Sequence, residues 1–405
     1  MDKNIHPHTA GASEGVKELL TRGVQDIIGR EDLEKNLKFG KKMKIYLGAD
    51  PSRPDIHLGH AVVLRKLKKF QDLGHKVIFL IGDFTAQIGD PTGKDEVRQQ
   101  LSFSEIKKNA QTYKKQVSQI LNFFGPNKAE IKYNSKWNKK LKFQDLIELS
   151  SNFTVQQFLE RDMYQERIRA GQPISLQEFF YPLMQAYDSV VMDVDMEVGG
   201  NDQLFNMLAG RTLMQKLKKK NKIVMTFELL EGTDGRKMSK SYDNYIGITD
   251  MPNDMYGKIM SITDDLIIKY FTLCTDIVLE DIEKMAVEMK AGANPRNFKA
   301  KLAHEIVKIY HGEKKAQEAG KEFKKIFQKK DKPSNMQEIS LKEDVGILET
   351  LAKYNLVSSN SDARRMIDQS AVKVNDKKIK DYNLQLKKGQ KYIIQVGKRR
   401  FLQIK

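Results

Sequence analysis

Apolar positions change rhythm repeatedly along the first 230 residues, and the changes predict alternating helices and strands. Val16, Leu19, Leu20, Val24, Ile27 and Ile28 recur at helical spacing, which predicts one amphipathic helix over 14–37, stopped by Gly40. Residues 43–47 read as a short buried strand. Ala61, Leu64, Leu67 and Phe70 return to helical spacing, so a helix is expected over about 57–73. Val77-Ile78-Phe79-Leu80-Ile81 is an unbroken apolar run of strand length. Strand, helix and an apolar second strand describe a parallel βαβ unit.

The alternation continues. Helices are expected over 104–124, 143–150, 154–170 and 176–190, and strands over 129–133, 194–198 and 223–227. This pattern predicts an α/β fold with a Rossmann-like, doubly wound parallel sheet and a helical insertion, over residues 1–250. From 251 to 328 the pattern is helical throughout. Residues 329–345 open with Lys, Asp, Pro, Ser and Asn and read as a linker. A small α+β module is expected over 346–405, with helices at 346–354 and 361–368 and strands at 371–374, 391–396 and 400–404.

A chain of 405 residues holds two or three domains of ordinary size. The longest apolar runs are strand-sized, far short of a membrane span. Met1-Asp2-Lys3-Asn4 starts no apolar signal segment, and the single Cys274 excludes an intramolecular disulfide. A cytoplasmic location, with no membrane partner, is the expectation. The formal net charge of +17 fits either a polyanionic partner or a lysine-rich solvated surface.

The candidate chemistry centres on Asp50-Pro51-Ser52-Arg53-Pro54-Asp55-Ile56-His57-Leu58-Gly59-His60. A strand ends before it and a helix starts near His57. Helix N-termini attract phosphate, and His57 and His60 share one face of the first turn. Gly59 leaves the backbone open to a flat ligand. The same pair also fits a plain polar helix start. A zinc site fits poorly, because Cys274 lies far along the chain. A second loop, Gly82 to Lys94, leaves the carboxyl end of a strand, where open α/β sheets place ligands. Tyr181, Gln185 and Asp188 stand at i, i+4 and i+7, on one helix face. Gly199-Gly200-Asn201-Asp202-Gln203 opens a helix, and Gly232 to Ser241 is a glycine-bearing loop with Lys237-Met238-Ser239-Lys240-Ser241.

His57-Leu58-Gly59-His60 and Lys237-Met238-Ser239-Lys240-Ser241 resemble the two signature motifs of class I aminoacyl-tRNA synthetases. Further segments resemble the bacterial-type tyrosyl-tRNA synthetases over nearly the whole chain. These are Tyr46-Leu47-Gly48-Ala49-Asp50-Pro51, Ile88-Gly89-Asp90-Pro91-Thr92-Gly93-Lys94, the Tyr181/Gln185/Asp188 helix, Gly199 to Gln203, and an S4-like RNA-binding module from Ser359 to Asn375. Two positions depart from the pattern. Leu204 stands where many relatives carry Trp, with Phe205 beside it, and Ser370 stands where such modules usually have Gly.

The resemblance implies that ATP, with Mg2+, activates L-tyrosine to tyrosyl-adenylate, and that the tyrosyl group then passes to tRNA(Tyr). It implies ATP contacts from His57, Gly59, His60, Gly199, Gly200, Asp202, Lys237, Met238, Ser239, Lys240 and Ser241. Lys94 and Arg98 would close on the pyrophosphate. Tyr46 and Asp188 would meet the phenol; Asp90, Tyr181 and Gln185 the ammonium; Asp50 and Gln203 the carboxylate, with Gly48 and Thr85 beside them. Arg364, Arg365 and Lys373 would touch RNA phosphates, and a homodimer is expected. Neither a resident metal site nor a tightly bound prosthetic group is implied. The competing readings are a tryptophanyl enzyme, another small-molecule nucleotidyltransferase of the same fold, and a non-catalytic RNA-binding relative.

Overall fold

The computed structural model describes residues 8–92, 102–238, 242–328, 336–397 and 400–405. Contacts divide the chain into two compact units, residues 1–317 and 318–405. The first is built on a six-stranded sheet of β1 (Val24–Ile28), β2 (Lys44–Ala49), β3 (Lys76–Ile81), β4 (Glu130–Tyr133), β5 (Met196–Gly200) and β6 (Ile223–Phe227). The strand order is β1-β6-β5-β2-β3-β4. Five strands run parallel; β1 lies antiparallel on β6 at one edge. Because β2 pairs with β3 on one side and β5 on the other, the winding reverses between β2 and β5. That reversal opens a crevice at the carboxyl ends of these strands. Ile45, Ile78, Phe79, Val198, Val224 and Met225 are buried, as expected of strands covered on both faces.

The amino-terminal segment differs from the expected single helix. A helix ends at Thr21, β1 follows, and a second helix runs over Arg30–Lys38. Gly23 (φ 65°) and Gly29 (φ 85°) bracket the strand with left-handed backbone, which breaks helical continuation. Val24, Ile27 and Ile28 therefore share a spacing that fits a helix but serve an edge strand. The expected helix over 154–170 is also two, Val155–Leu159 and Asp162–Arg169, with Arg161 extended between them (ψ 130°).

Five helices fill the segment from Pro252 to Gln328. One buried cation ties this segment to the sheet domain. Arg22 donates to the carbonyls of Phe271, Thr272 and Thr275, the open end of the Ile267–Cys274 helix. Within the sheet domain, Lys66 Nζ donates to the carbonyls of Leu19 and Arg22 at the end of the amino-terminal helix. Among the described residues no helix is long and apolar enough to cross a membrane.

In the second unit, the strand Tyr392–Val396 pairs with both Val372–Val374 and Arg400–Ile404. Gln337–Ile339, inside the stretch expected as linker, is a parallel edge strand beside Arg400–Ile404. The helices Ile347–Lys353 and Asn360–Asp368 pack on this sheet through Ile347, Leu351, Ala363 and Ile367. Ser370 does occupy a left-handed position (φ 54°), and Ser370 N–H and Ala371 N–H close the helix end on the Ile367 and Met366 carbonyls. Asn375 and Asp376 (φ 51° and 66°) form the two-residue turn of a hairpin.

Candidate active site

A cavity of about 310 Å³ opens at the carboxyl ends of β2 and β5. Its lining includes every described residue proposed above for the amino acid and the nucleotide. Tyr46, Gly48 and Asp50 come from β2 and the turn after it. His57, Gly59 and His60 start the next helix, Thr85 and Asp90 lie in the loop after β3, and Tyr181, Gln185 and Asp188 share one helix. Gly199, Gly200, Asp202 and Gln203 follow β5, and Lys237 and Met238 belong to the lysine loop. Lys94, Arg98, Ser239, Lys240 and Ser241 lie outside the described residues.

The floor is acidic. Asp188 is buried and accepts from Trp137 Nε1 (2.7 Å), Asn134 Nδ2 (3.1 Å) and Asn138 Nδ2 (3.1 Å). Burial pushes its carboxyl up to about 7, against the three donors that favour the charge. Asn134 also donates to Thr85 Oγ1 (3.0 Å), and Thr85 Oγ1 donates to Asp50 Oδ1 (2.7 Å). A chain of hydrogen bonds thus joins Asp188 to Asp50. Tyr46 is fully buried, and its hydroxyl shares a 2.9 Å bond with Ser189 Oγ, so one of its bonding directions is already used.

On the opposite wall Gln203 Nε2 donates to Asp90 Oδ2 (2.6 Å), while Thr92 N–H donates to Asp90 Oδ1 (3.0 Å). Arg161 reaches across from the gap between its two helices and donates to Thr92 Oγ1 (2.7 Å). Its guanidinium lies 4.7 Å from the centre of the Phe205 ring, which gives that aromatic position a use without Trp.

His57 caps the Leu58–Asp72 helix, and its ring stacks 3.9 Å from that of His60. Burial lowers both imidazoles, His57 to about 2 and His60 to about 4, so both are neutral near pH 7. The turn before them is held from two sides. Gln116 accepts from Ile56 N–H (2.7 Å) and donates to the Pro54 carbonyl (2.7 Å). On the other side His57 bridges Gly247, with Leu58 N–H bonded to the Ile246 carbonyl (2.9 Å). The Tyr245–Ile248 stretch follows directly on the lysine loop, so the two signature motifs share one frame. Asn244 closes that loop by donating to the Lys237 carbonyl (3.1 Å) and Asp234 Oδ1 (2.7 Å). Lys237 Nζ itself donates to Asp202 Oδ2 (2.8 Å).

Gly199 and Gly200 make room first for protein atoms. A Cβ would stand 3.0 Å from Met207 Sδ at Gly199 and 2.7 Å from Asp202 Oδ1 at Gly200. In the second unit Arg364 and Arg365 are exposed and Lys373 is half-buried; Arg365 pairs with Asp362 at 2.6 Å.

Sequence reasoning missed Asn134, Trp137, Asn138, Gln116, Asn244, Arg161 and the buried pair Glu197 and Lys222. Two signals were present. Trp137 is the only tryptophan, and it follows the carboxyl end of a parallel strand. Glu197 is a carboxylate inside an apolar strand. Lys222 carried none, because it ends a run of surface-like lysines.

Two family models match: "tRNA synthetases class I (W and Y)" over residues 38–328 and "Tyrosine--tRNA ligase SYY-like C-terminal domain" over 322–404. The tyrosine–tRNA ligase of Carboxydothermus hydrogenoformans is 49% identical over 400 residues, covering 96% of this chain and 97% of the relative. That of Thermotoga maritima is 46% identical over 389 residues, 96% of each chain. Among solved structures, a truncated mitochondrial tyrosyl-tRNA synthetase of Aspergillus nidulans matches with TM-score 0.63 at 24% identity, over 78% of this chain and 94% of that one. The tyrosyl-tRNA synthetase of Archaeoglobus fulgidus, complexed with L-tyrosine, matches with TM-score 0.59 at 22% identity, over 76% and 99%. These structural matches speak to the fold.

Proposed function

The chain belongs to the tyrosine–tRNA ligases, within the class I tRNA synthetases of the tryptophan and tyrosine group, and from that premise we propose a role for each side chain of its cavity. The reaction joins L-tyrosine to tRNA(Tyr) at the expense of ATP. A carboxylate oxygen of tyrosine attacks the α-phosphorus, the bond to pyrophosphate breaks, and tyrosyl-adenylate forms. The tyrosyl group then passes to the terminal ribose of the tRNA. In-line displacement needs no protein nucleophile, so the work is positioning and charge stabilisation.

Asp188 receives the phenol, with Tyr46 beside it. Asp90, Tyr181 and Gln185 receive the ammonium, and Asp50, Gln203, Gly48 and Thr85 bound the carboxylate. Asp202 takes the ATP ribose near Gly199 and Gly200. His57 and His60, neutral at pH 7, offer N–H dipoles rather than charge to the phosphates beside Gly59. Lys237, with Lys240, Lys94 and Arg98, neutralises the leaving pyrophosphate, and Met238, Ser239 and Ser241 add further contacts to ATP. Mg2+ enters with ATP as part of the substrate.

The observation that carries this reading is the Asp188 carboxylate, buried yet bordering the cavity and held by three donors. A phenol can pair with it; the bare ring of phenylalanine cannot and leaves it less well satisfied. Pyrophosphate exchange with each aromatic amino acid tests it. Exchange driven by tyrosine is the expected result, and exchange driven by tryptophan instead would reject it.

The reading extends to the rest of the chain. The catalytic domain spans 1–250, and the helical domain 251–328 and the S4-like module, which takes in the Gln337–Ile339 edge strand, face tRNA. Arg364, Arg365 and Lys373 meet its phosphates. A homodimer is supported by exposed apolar side chains such as Phe143 and Ile147, one turn apart on a helix, and Leu176. The enzyme acts in the cytoplasm.

A further inference from the structure

Behind the cavity wall Lys222 is completely buried and pairs with Glu197, which is 2% exposed and borders the cavity. Lys222 Nζ also donates to Ser189 Oγ (3.0 Å), the atom bonded to the Tyr46 hydroxyl. The second oxygen of Glu197 accepts from Gln185 Nε2 (3.0 Å). A side chain at Gly210 would collide with Lys222 Nζ and Ser189 Oγ, so the lysine's seat depends on that glycine.

This arrangement has a chemical consequence at Gln185. A carboxylate only accepts, so the amide must turn its NH2 to Glu197. Its carbonyl oxygen is then the end left for a ligand, and a carbonyl oxygen suits an ammonium. Glu197 borders the cavity and Lys222 stands behind it, so the pair is also a dipole with its negative end toward the ligand. Stability alone gives little reason for such a pair, because burying two charges costs about what their attraction returns.

We propose that the Glu197–Lys222 pair is the positioning device for recognition of the amino acid's ammonium: it fixes the orientation of the Gln185 amide and sets a negative potential at that end of the cavity. The inference rests on the tyrosine-activation reading and adds to it two residues that do not react. A neutral amide held the other way would present NH2 to the ammonium and repel it.

The test compares the wild type with the double variant Glu197→Gln/Lys222→Met, which removes both charges together, and with Glu197→Gln alone. L-tyrosine and desaminotyrosine, which keeps the phenol and carboxylate but lacks the ammonium, are titrated by calorimetry, and the KM for ATP is read from pyrophosphate exchange. The expected result is a loss of tyrosine affinity of about tenfold or more, with desaminotyrosine affinity and ATP KM within about twofold of wild type. Equal weakening of both ligands, or no change in either, would overturn the proposal. Should the double variant not fold, the same ratio from Glu197→Gln decides. Wild-type exchange dependent on tyrosine checks the functional reading separately, so the two can fail independently.

Discussion

Lys237 Nζ bonds Asp202 Oδ2 at 2.8 Å, so the lysine proposed for pyrophosphate and the carboxylate proposed for ribose meet each other across the cavity. Lys237 is about half exposed and Asp202 about a quarter, and ion pairs in such settings contribute little. ATP can therefore part them at small cost. Lys237→Ala is expected to slow adenylate formation by about a hundredfold or more while the KM for tyrosine hardly moves. Stopped-flow measurement of adenylate formation separates the two; parallel loss of tyrosine binding would mean that the lysine supports the fold instead.

Asp188 gives a second prediction. Asp188→Ala removes the acceptor that the phenol needs and strands the side-chain donors of Asn134, Trp137 and Asn138. The ratio of exchange rates for tyrosine over phenylalanine is expected to fall by about ten- to a hundredfold. An unaltered ratio would remove Asp188 from phenol recognition.

The histidines set a pH dependence. His60 titrates at about 4 in the folded chain against an ordinary 6.5, chiefly through burial. Its contribution to stability is complete above the unfolded value and is lost as pH falls from about 6.5 through about 4. The stability difference between wild type and His60→Asn should thus shrink between about pH 7 and about pH 5, as read from denaturant midpoints. A constant difference would contradict a neutral, buried His60.

Gln116 holds the histidine-bearing turn without touching a substrate. Gln116→Leu leaves Ile56 N–H and the Pro54 carbonyl without that side-chain partner. It is expected to cost about 2 kcal/mol or more in unfolding free energy and to lower the rate of activation more than the affinity for tyrosine. Denaturant titration and exchange kinetics on the same preparation check both parts.

Ser370 holds a left-handed backbone at a helix end with a Cβ in the way. Ser370→Gly should stabilise the second unit by about 1 kcal/mol. Thermal unfolding that is unchanged or lowered would show that the serine side chain offsets its own strain.

Much of this was legible in the chain. Apolar runs such as 77–81 announced parallel strands, and the His57/His60 pair announced a helix start at a strand's carboxyl end. The amino-terminal segment was misread because Val24, Ile27 and Ile28 fit helical spacing and edge-strand preference equally; only the glycines at 23 and 29 distinguish them. The site residues whose partners are distant were not legible. Gln116 acts through backbone groups some sixty residues away. Lys222 looks like its solvated neighbours until the fold brings Glu197 opposite. Residue type and spacing mark groups that face a ligand, whereas groups that hold those groups in place are marked only by packing.

The most direct test of the whole account is ATP–pyrophosphate exchange by the purified chain with tyrosine, phenylalanine and tryptophan supplied in turn. Tyrosine should drive exchange strongly and the other two hardly at all. Exchange with tryptophan, or no exchange with any of the three, would contradict the account.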